Sequence, residues 1–256
     1  MTSQPSLFLS HGAPDLALAD GPAHRFLRSL GGTLRRPDAI VIASAHYEAS
    51  RLSVRAPAGF VTWHDFGNFD RELFDLRYEP PGHQSLAEEV RGLLDRHGLD
   101  PVRDPSDPID HGAWVPLSLL FPAADVPLVM VSIDPNRDAR WHYQVGQALA
   151  PLRQRNILVI GSGSISHNLR EVFRPTSTDR AWVDAFTAWL EQNVRNGDTD
   201  ALLSAMENAP GALRNHPTDE HLLPLFVAYG AGRGAPERLH ASQTFGILRM
   251  DAYAFP

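Results

Sequence analysis

Three short apolar runs in this 256-residue chain each lead into a histidine. Ser6 to Ser10 is followed by His11. Ala39 to Ala45 ends in His46. Ile157 to Gly161 passes through Ser162, Gly163, Ser164, Ile165 and Ser166 to His167. Runs that stay apolar without alternating read as strands covered on both faces. Open α/β sheets bind ligands outside the carboxyl ends of their strands. Three imidazoles at or just beyond such ends can meet in one crevice, which is how a metal site is assembled from distant parts of a chain.

The segments between these runs read mostly as helices. Helical spacing of apolar residues predicts helices over 22–30, closed by Gly31-Gly32, and over 83–97, 139–152 and 180–194. Shorter helices are expected over 116–121 and, capped by Asp198, Thr199 or Asp200, up to Met206. A buried strand is expected over 127–133, a peripheral one over 52–55 and a last one within 239–250. Residues 76–82 and the Pro/Asp-rich 101–108 read as loops, and the aromatic stretch 60–69 fits no single period. Thr218 fits an N-cap that places Asp219, Glu220 and His221 in a first helical turn, with Pro224 near its start. The expected fold is therefore α/β: one domain over residues 1–256, with a mixed or mostly parallel central sheet, helices on both faces and the site at strand ends.

Two absences narrow the chemistry. With no cysteine, disulfides, thiol nucleophiles, iron–sulfur clusters and thiolate zinc sites are excluded. With no lysine, Schiff bases, a pyridoxal-phosphate anchor and a Walker-type phosphate loop are excluded. A formal charge of −7 argues against a nucleic-acid surface. No apolar run approaches the ~18 residues of a membrane span, and the start does not resemble a signal peptide. The cytoplasm is the expected compartment. Oligomeric state is not legible.

What remains is His, Asp, Glu, Ser, Tyr or a metal, and the chain has 12 histidines. His11, His46 and His167 are the first candidates. His221 is the fourth, with Asp219 and Glu220 as competing ligands beside it, since divalent first-row metals accept imidazole and carboxylate alike. His111 lies in Asp110-His111-Gly112-Ala113-Trp114, where Asp110 is placed to orient its ring. His24, His97, His142 and His240 read as surface residues, and His64 and His83 as loop residues without a role. Trp63, Phe66, Phe69, Trp114 and Tyr229 are candidates for a pocket lining or for core. The serines near 162–166 lack the Gly-x-Ser-x-Gly elbow of a hydrolase.

Taken in order, Ser10-His11-Gly12-Ala13-Pro14, Ser44-Ala45-His46-Tyr47, Asp110-His111-Gly112-Ala113-Trp114, Ser166-His167-Asn168-Leu169-Arg170 and Glu220-His221-Leu222-Leu223-Pro224-Leu225 resemble the class III extradiol ring-cleavage dioxygenases of the LigB superfamily. The nearest branch is the DOPA-4,5-dioxygenase type, and the resemblance spans nearly the whole chain. It implies a metal-dependent enzyme that inserts O2 into the ring of a small catechol beside its two hydroxyls. It implies His11, His46 and His221 as metal ligands, and His167 as the acid/base group, which can also touch the ion when zinc is bound. His111 becomes a hydrogen-bonding residue near substrate or oxygen. Iron(II) is the metal expected for activity, although zinc also suits an all-imidazole set. The partners are then a small aromatic diol and O2. A non-enzymatic metal-containing protein of the same fold and a zinc-dependent hydrolase are the competing readings.

Overall fold

The computed structural model describes residues 3–176 and 178–256. Its centre is an eight-stranded sheet. The strands, in chain order, are β1 (Ser6–Ser10), β2 (Ala39–Glu48), β3 (Ser53–Arg55), β4 (Val102–Asp104), β5 (Leu128–Ile133), β6 (Ile157–Gly163), β7 (Glu237–His240) and β8 (Ala252–Phe255). Their order across the sheet is β4-β3-β5-β2-β6-β1-β8-β7. The four central strands β5, β2, β6 and β1 are mutually parallel, so their carboxyl ends share one edge. β3 is antiparallel to β5, and β8 antiparallel to both β1 and β7.

Alternate residues of each central strand point to opposite faces. Leu7, Leu9, Ile40, Ile42, Leu158 and Ile160 pack beneath the helices Pro22–Thr33 and His111–Leu120. Val41, Ala43, Val129, Val131 and Val159 pack beneath Gln84–Arg96, Ala139–Leu149 and Leu223–Ala231. Both faces are covered, which is why these strands are apolar throughout.

Several expected boundaries move. The first helix runs past Gly31 to Thr33, and at Gly31 the Leu120 carbonyl oxygen lies 2.1 Å from where a Cβ would stand. The glycine serves a close approach between helices instead of ending one. The 101–108 loop contains β4, and Pro108–Ile109 pairs with Val61–Thr62. Asp198, of the three candidates, caps its helix by accepting from the Ala201 N–H at 3.0 Å. The single last strand expected within 239–250 is instead β7 and the small ladder of Gln243–Thr244 with Leu248–Arg249. β8, which follows them, was not expected. Thr218 caps no helix: Asp219 accepts from the Leu222 and Leu223 amides, and the helix begins at Leu223. His221 therefore lies in the turn before it. Among the described residues no helix is long and apolar enough to cross a membrane.

Candidate active site

His11 leaves the end of β1 as the chain turns through Gly12, whose φ of +62° a side chain would resist. The His11 amide donates to the Gly163 carbonyl at 3.1 Å, which ties the ends of β1 and β6 together. Its ring Nδ1 lies 3.1 Å from Ser162 Oγ. That hydroxyl donates its proton to the Gly112 carbonyl, so it accepts from His11 Nδ1–H. The lone pair of His11 is then on Nε2. In His221, Nδ1 lies 2.9 Å from Glu220 Oε1 and donates to that carboxylate, again leaving Nε2 free. His46, on β2, places its Nε2 3.2 Å from the Nε2 of His11 and 3.2 Å from that of His221.

Three ring nitrogens thus converge from three separate strand ends and turns. Two imidazole nitrogens each about 2.0–2.1 Å from a cation stand about 3.2 Å apart when the angle between them is about 100°. The spacing and the all-nitrogen donor set fit a divalent first-row ion. Imidazole binds metal only when neutral. Burial, followed by the neighbouring rings, holds His11 and His221 well below the ordinary histidine value. Burial and then His111 lower His46 to about 3.

Two more imidazoles border this trio. His167 lies half-buried with its ring stacked on His221, centroids 3.5 Å apart and planes 10° apart. Its amide donates to the Asn215 carbonyl at 2.9 Å, and its Nδ1 stands 3.9 Å from Glu220. Burial lowers it to about 4. His111 opens the helix His111–Leu120, with its ring centroid 4.0 Å from that of His46. One oxygen of Asp65 accepts from both the His111 amide and its ring Nδ1, each at 2.9 Å. Asp65, not Asp110, is therefore the residue that orients His111. Asp110 caps the helix through the Ala113 amide and accepts from the Ser44 hydroxyl at 2.5 Å. At Gly112 a Cβ would lie 2.5 Å from Ser44 Oγ and 2.9 Å from the His46 ring, so only glycine lets the helix start this close to β2.

Asp65 sits in the aromatic stretch that fitted no period, and nothing local marks it. Burial pushes its carboxyl up, but the His111 hydrogen bonds outweigh this and leave it below the usual range. Of the candidate aromatics, Phe66 lies edge-on to His111 at 5.7 Å, and Trp63 lines a cavity beside His46. Tyr229 lies elsewhere, against Tyr143 and Phe255.

A match to the model of the family described as the catalytic LigB subunit of aromatic ring-opening dioxygenase covers residues 5–255. The chain belongs to the LigB family. It is 36% identical to a 4,5-DOPA dioxygenase extradiol of Beta vulgaris, across 98% of this chain and 96% of that protein. It is 38% identical to a protein of the same description from Escherichia coli K12, across 91% and 87% of the two chains. The crystal structure of an uncharacterized Escherichia coli K12 protein superposes with a TM-score of 0.83 at 30% identity, covering 99% and 100% of the two chains. LigB proteins of this kind are extradiol ring-opening oxidoreductases that depend on a metal. The comparisons favour neither the non-enzymatic reading nor the hydrolase.

Outside the site, two histidines are structural. His142, expected at the surface, is fully buried: its Nδ1 donates to the Asp138 carbonyl at 2.8 Å and its Nε2 accepts from the Asp134 amide at 3.3 Å. A second ring proton would have no acceptor. His216 is also fully buried and donates through Nε2 to the Ile165 carbonyl at 2.9 Å. Burial lowers both to about 4. Because the folded values lie below that of the unfolded chain, the unfolded state takes up protons first as pH falls. Stability is expected to be complete above pH ~6.5 and to fall by roughly 3 kcal/mol per residue by pH ~4. Thermal melts of the metal-free protein across that window would show it; a melting temperature constant down to pH ~4 would contradict it.

Proposed function

We propose that this chain is an iron(II)-dependent extradiol dioxygenase that opens the ring of a DOPA-like catechol, with His11, His46 and His221 holding the metal. The observation that carries this reading is the convergence of three Nε2 atoms, two of them turned inward by hydrogen bonds from their own Nδ1. Bound iron(II) would supply the acidity that ionises a catechol hydroxyl and the electronic path between ring and O2.

The protein's own groups do the rest. His167 is neutral at pH 7 and stands beside the trio, so it can accept the second catechol proton and return it when the ring opens. Stacking on His221 fixes its position relative to the metal ligands. His111, held by Asp65, presents Nε2 as its remaining hydrogen-bonding atom. There it can accept a hydrogen bond from a substrate hydroxyl and so orient that oxygen. The aromatic side chain of Phe66 borders this side of the site, backed by Trp114.

Oxygen uptake tests the proposal. The protein is stripped of metal, reloaded anaerobically with iron(II) or with zinc, and given DOPA and simple catechols. The iron form is expected to consume one O2 per catechol and to give a yellow product, while the zinc form consumes none. Uptake by neither form, despite stoichiometric binding, would reject the activity.

A further inference from the structure

A cavity of about 410 Å³ opens directly beside His46, and its walls include Glu48, Arg55, Trp63, Asp104 and Asp110. Its charges are uneven. Beside the His46 imidazole, Arg55 is the only basic side chain among the described residues on these walls, and all three of its guanidinium nitrogens are engaged. Nε and Nη2 donate to Asp104 Oδ2 at 2.9 and 2.7 Å, and Nη1 donates to the Pro108 carbonyl at 2.7 Å. Arg55 and Asp104 thus cancel. Glu48 remains exposed at the mouth, with no partner drawing its carboxylate away from the cavity among the described residues. Asp110 is 1% exposed; Ser44 and Ala113 occupy its Oδ1, and its Oδ2 has no hydrogen-bond partner among the described residues. A buried carboxylate oxygen left unpaired is costly until a donor reaches it.

We infer that this cavity receives the ring substituent of the diol and selects an ammonium group over a carboxylate. The inference rests on the extradiol reading above. An ammonium brings three donors to the exposed carboxylate of Glu48, beneath which lies the buried, unpartnered Asp110 Oδ2. The indole of Trp63, half exposed on the same wall, also attracts cations. A carboxylate would meet Glu48 and Asp110 with no free cation to hold it.

The test compares catechol, dopamine and 3-(3,4-dihydroxyphenyl)propanoate as substrates of the iron(II)-loaded protein. Dopamine is expected to exceed the propanoate in kcat/KM by roughly tenfold or more, the scale of one partly exposed charge pair. Glu48→Gln should bring that ratio toward one. Asp110→Asn, which keeps an oxygen for the helix cap, should do the same. A ratio at or below one in the parent, or a ratio unmoved by both substitutions, overturns the subsite. No uptake with any diol, catechol included, overturns the ring-opening reading instead. Equilibrium competition of the same two ligands on the zinc-loaded protein then decides the subsite by the same ratio.

Discussion

His167→Ala is expected to bind iron(II) with the parent stoichiometry and to lose about 10²–10⁴ of kcat, the usual worth of a positioned acid/base group. That loss corresponds to about 3–5 kcal/mol of barrier. The argument is geometric. The His167 ring lies flat on His221, whereas the converging nitrogens are those of His11, His46 and His221. Removing the ring takes away a proton acceptor without removing a converging nitrogen. His11→Ala or His46→Ala takes one of the three and should lose the metal together with the activity. Because the stacked ring also steadies His221, His167→Gln serves as the companion: it keeps most of the volume but cannot shuttle a proton near pH 7. Metal content by elemental analysis, read beside kcat, separates the roles. Equal metal loss in the alanine variants of His11, His46 and His167 would make His167 a ligand and not the acid/base group.

The strand-end histidines were legible because the parallel core is written as apolar runs without alternation, and each run leads, directly or after a few residues, to a histidine. His221 was less so. Read from the residues alone, Asp219, Glu220 and His221 were equivalent candidates, and only the family resemblance chose among them. Folding separates them: Glu220 turns back to accept from His221 Nδ1, so carboxylate and imidazole act in series. Asp65 was not legible at all, because its partner His111 is 46 residues away and the pairing exists only once the loop is folded. His142 could have been read better. It lies three residues from both Ala139 and Val145 on the buried stripe of its helix, and its hydrogen bonds are what make an imidazole acceptable there. β8 escaped because four residues at the very end of a chain carry too short a period to be distinguished from a tail.

Gly163→Ala is expected to damage the proposed metal site from outside the set of converging rings. Gly163 ends β6, and a Cβ there would lie 2.1 Å from the His221 carbonyl oxygen and 3.3 Å from the Phe8 ring. The same carbonyl accepts from the Ser164 amide at 2.8 Å, so the turn carrying His221 is fastened to the strand at this point. A methyl group cannot be accommodated by a rotamer change, because the clashing atom is backbone. The carbonyl must retreat by about 1 Å, and His221 moves with it. Overpacking of this kind costs about 1–3 kcal/mol. A displacement of about 1 Å also spoils a ligand set whose nitrogens must hold their spacing. The variant should therefore melt lower and bind iron(II) at least about tenfold more weakly, with kcat falling even at saturating metal. Gly32→Ala is the matched control. Gly32 lies in the first helix with nothing within 4 Å of an added Cβ. There alanine restricts the unfolded chain and should stabilise by about 0.4–1 kcal/mol. If Gly163→Ala melts and binds iron(II) like the parent, then the backbone contact between β6 and the His221 turn does not set the position of that ligand.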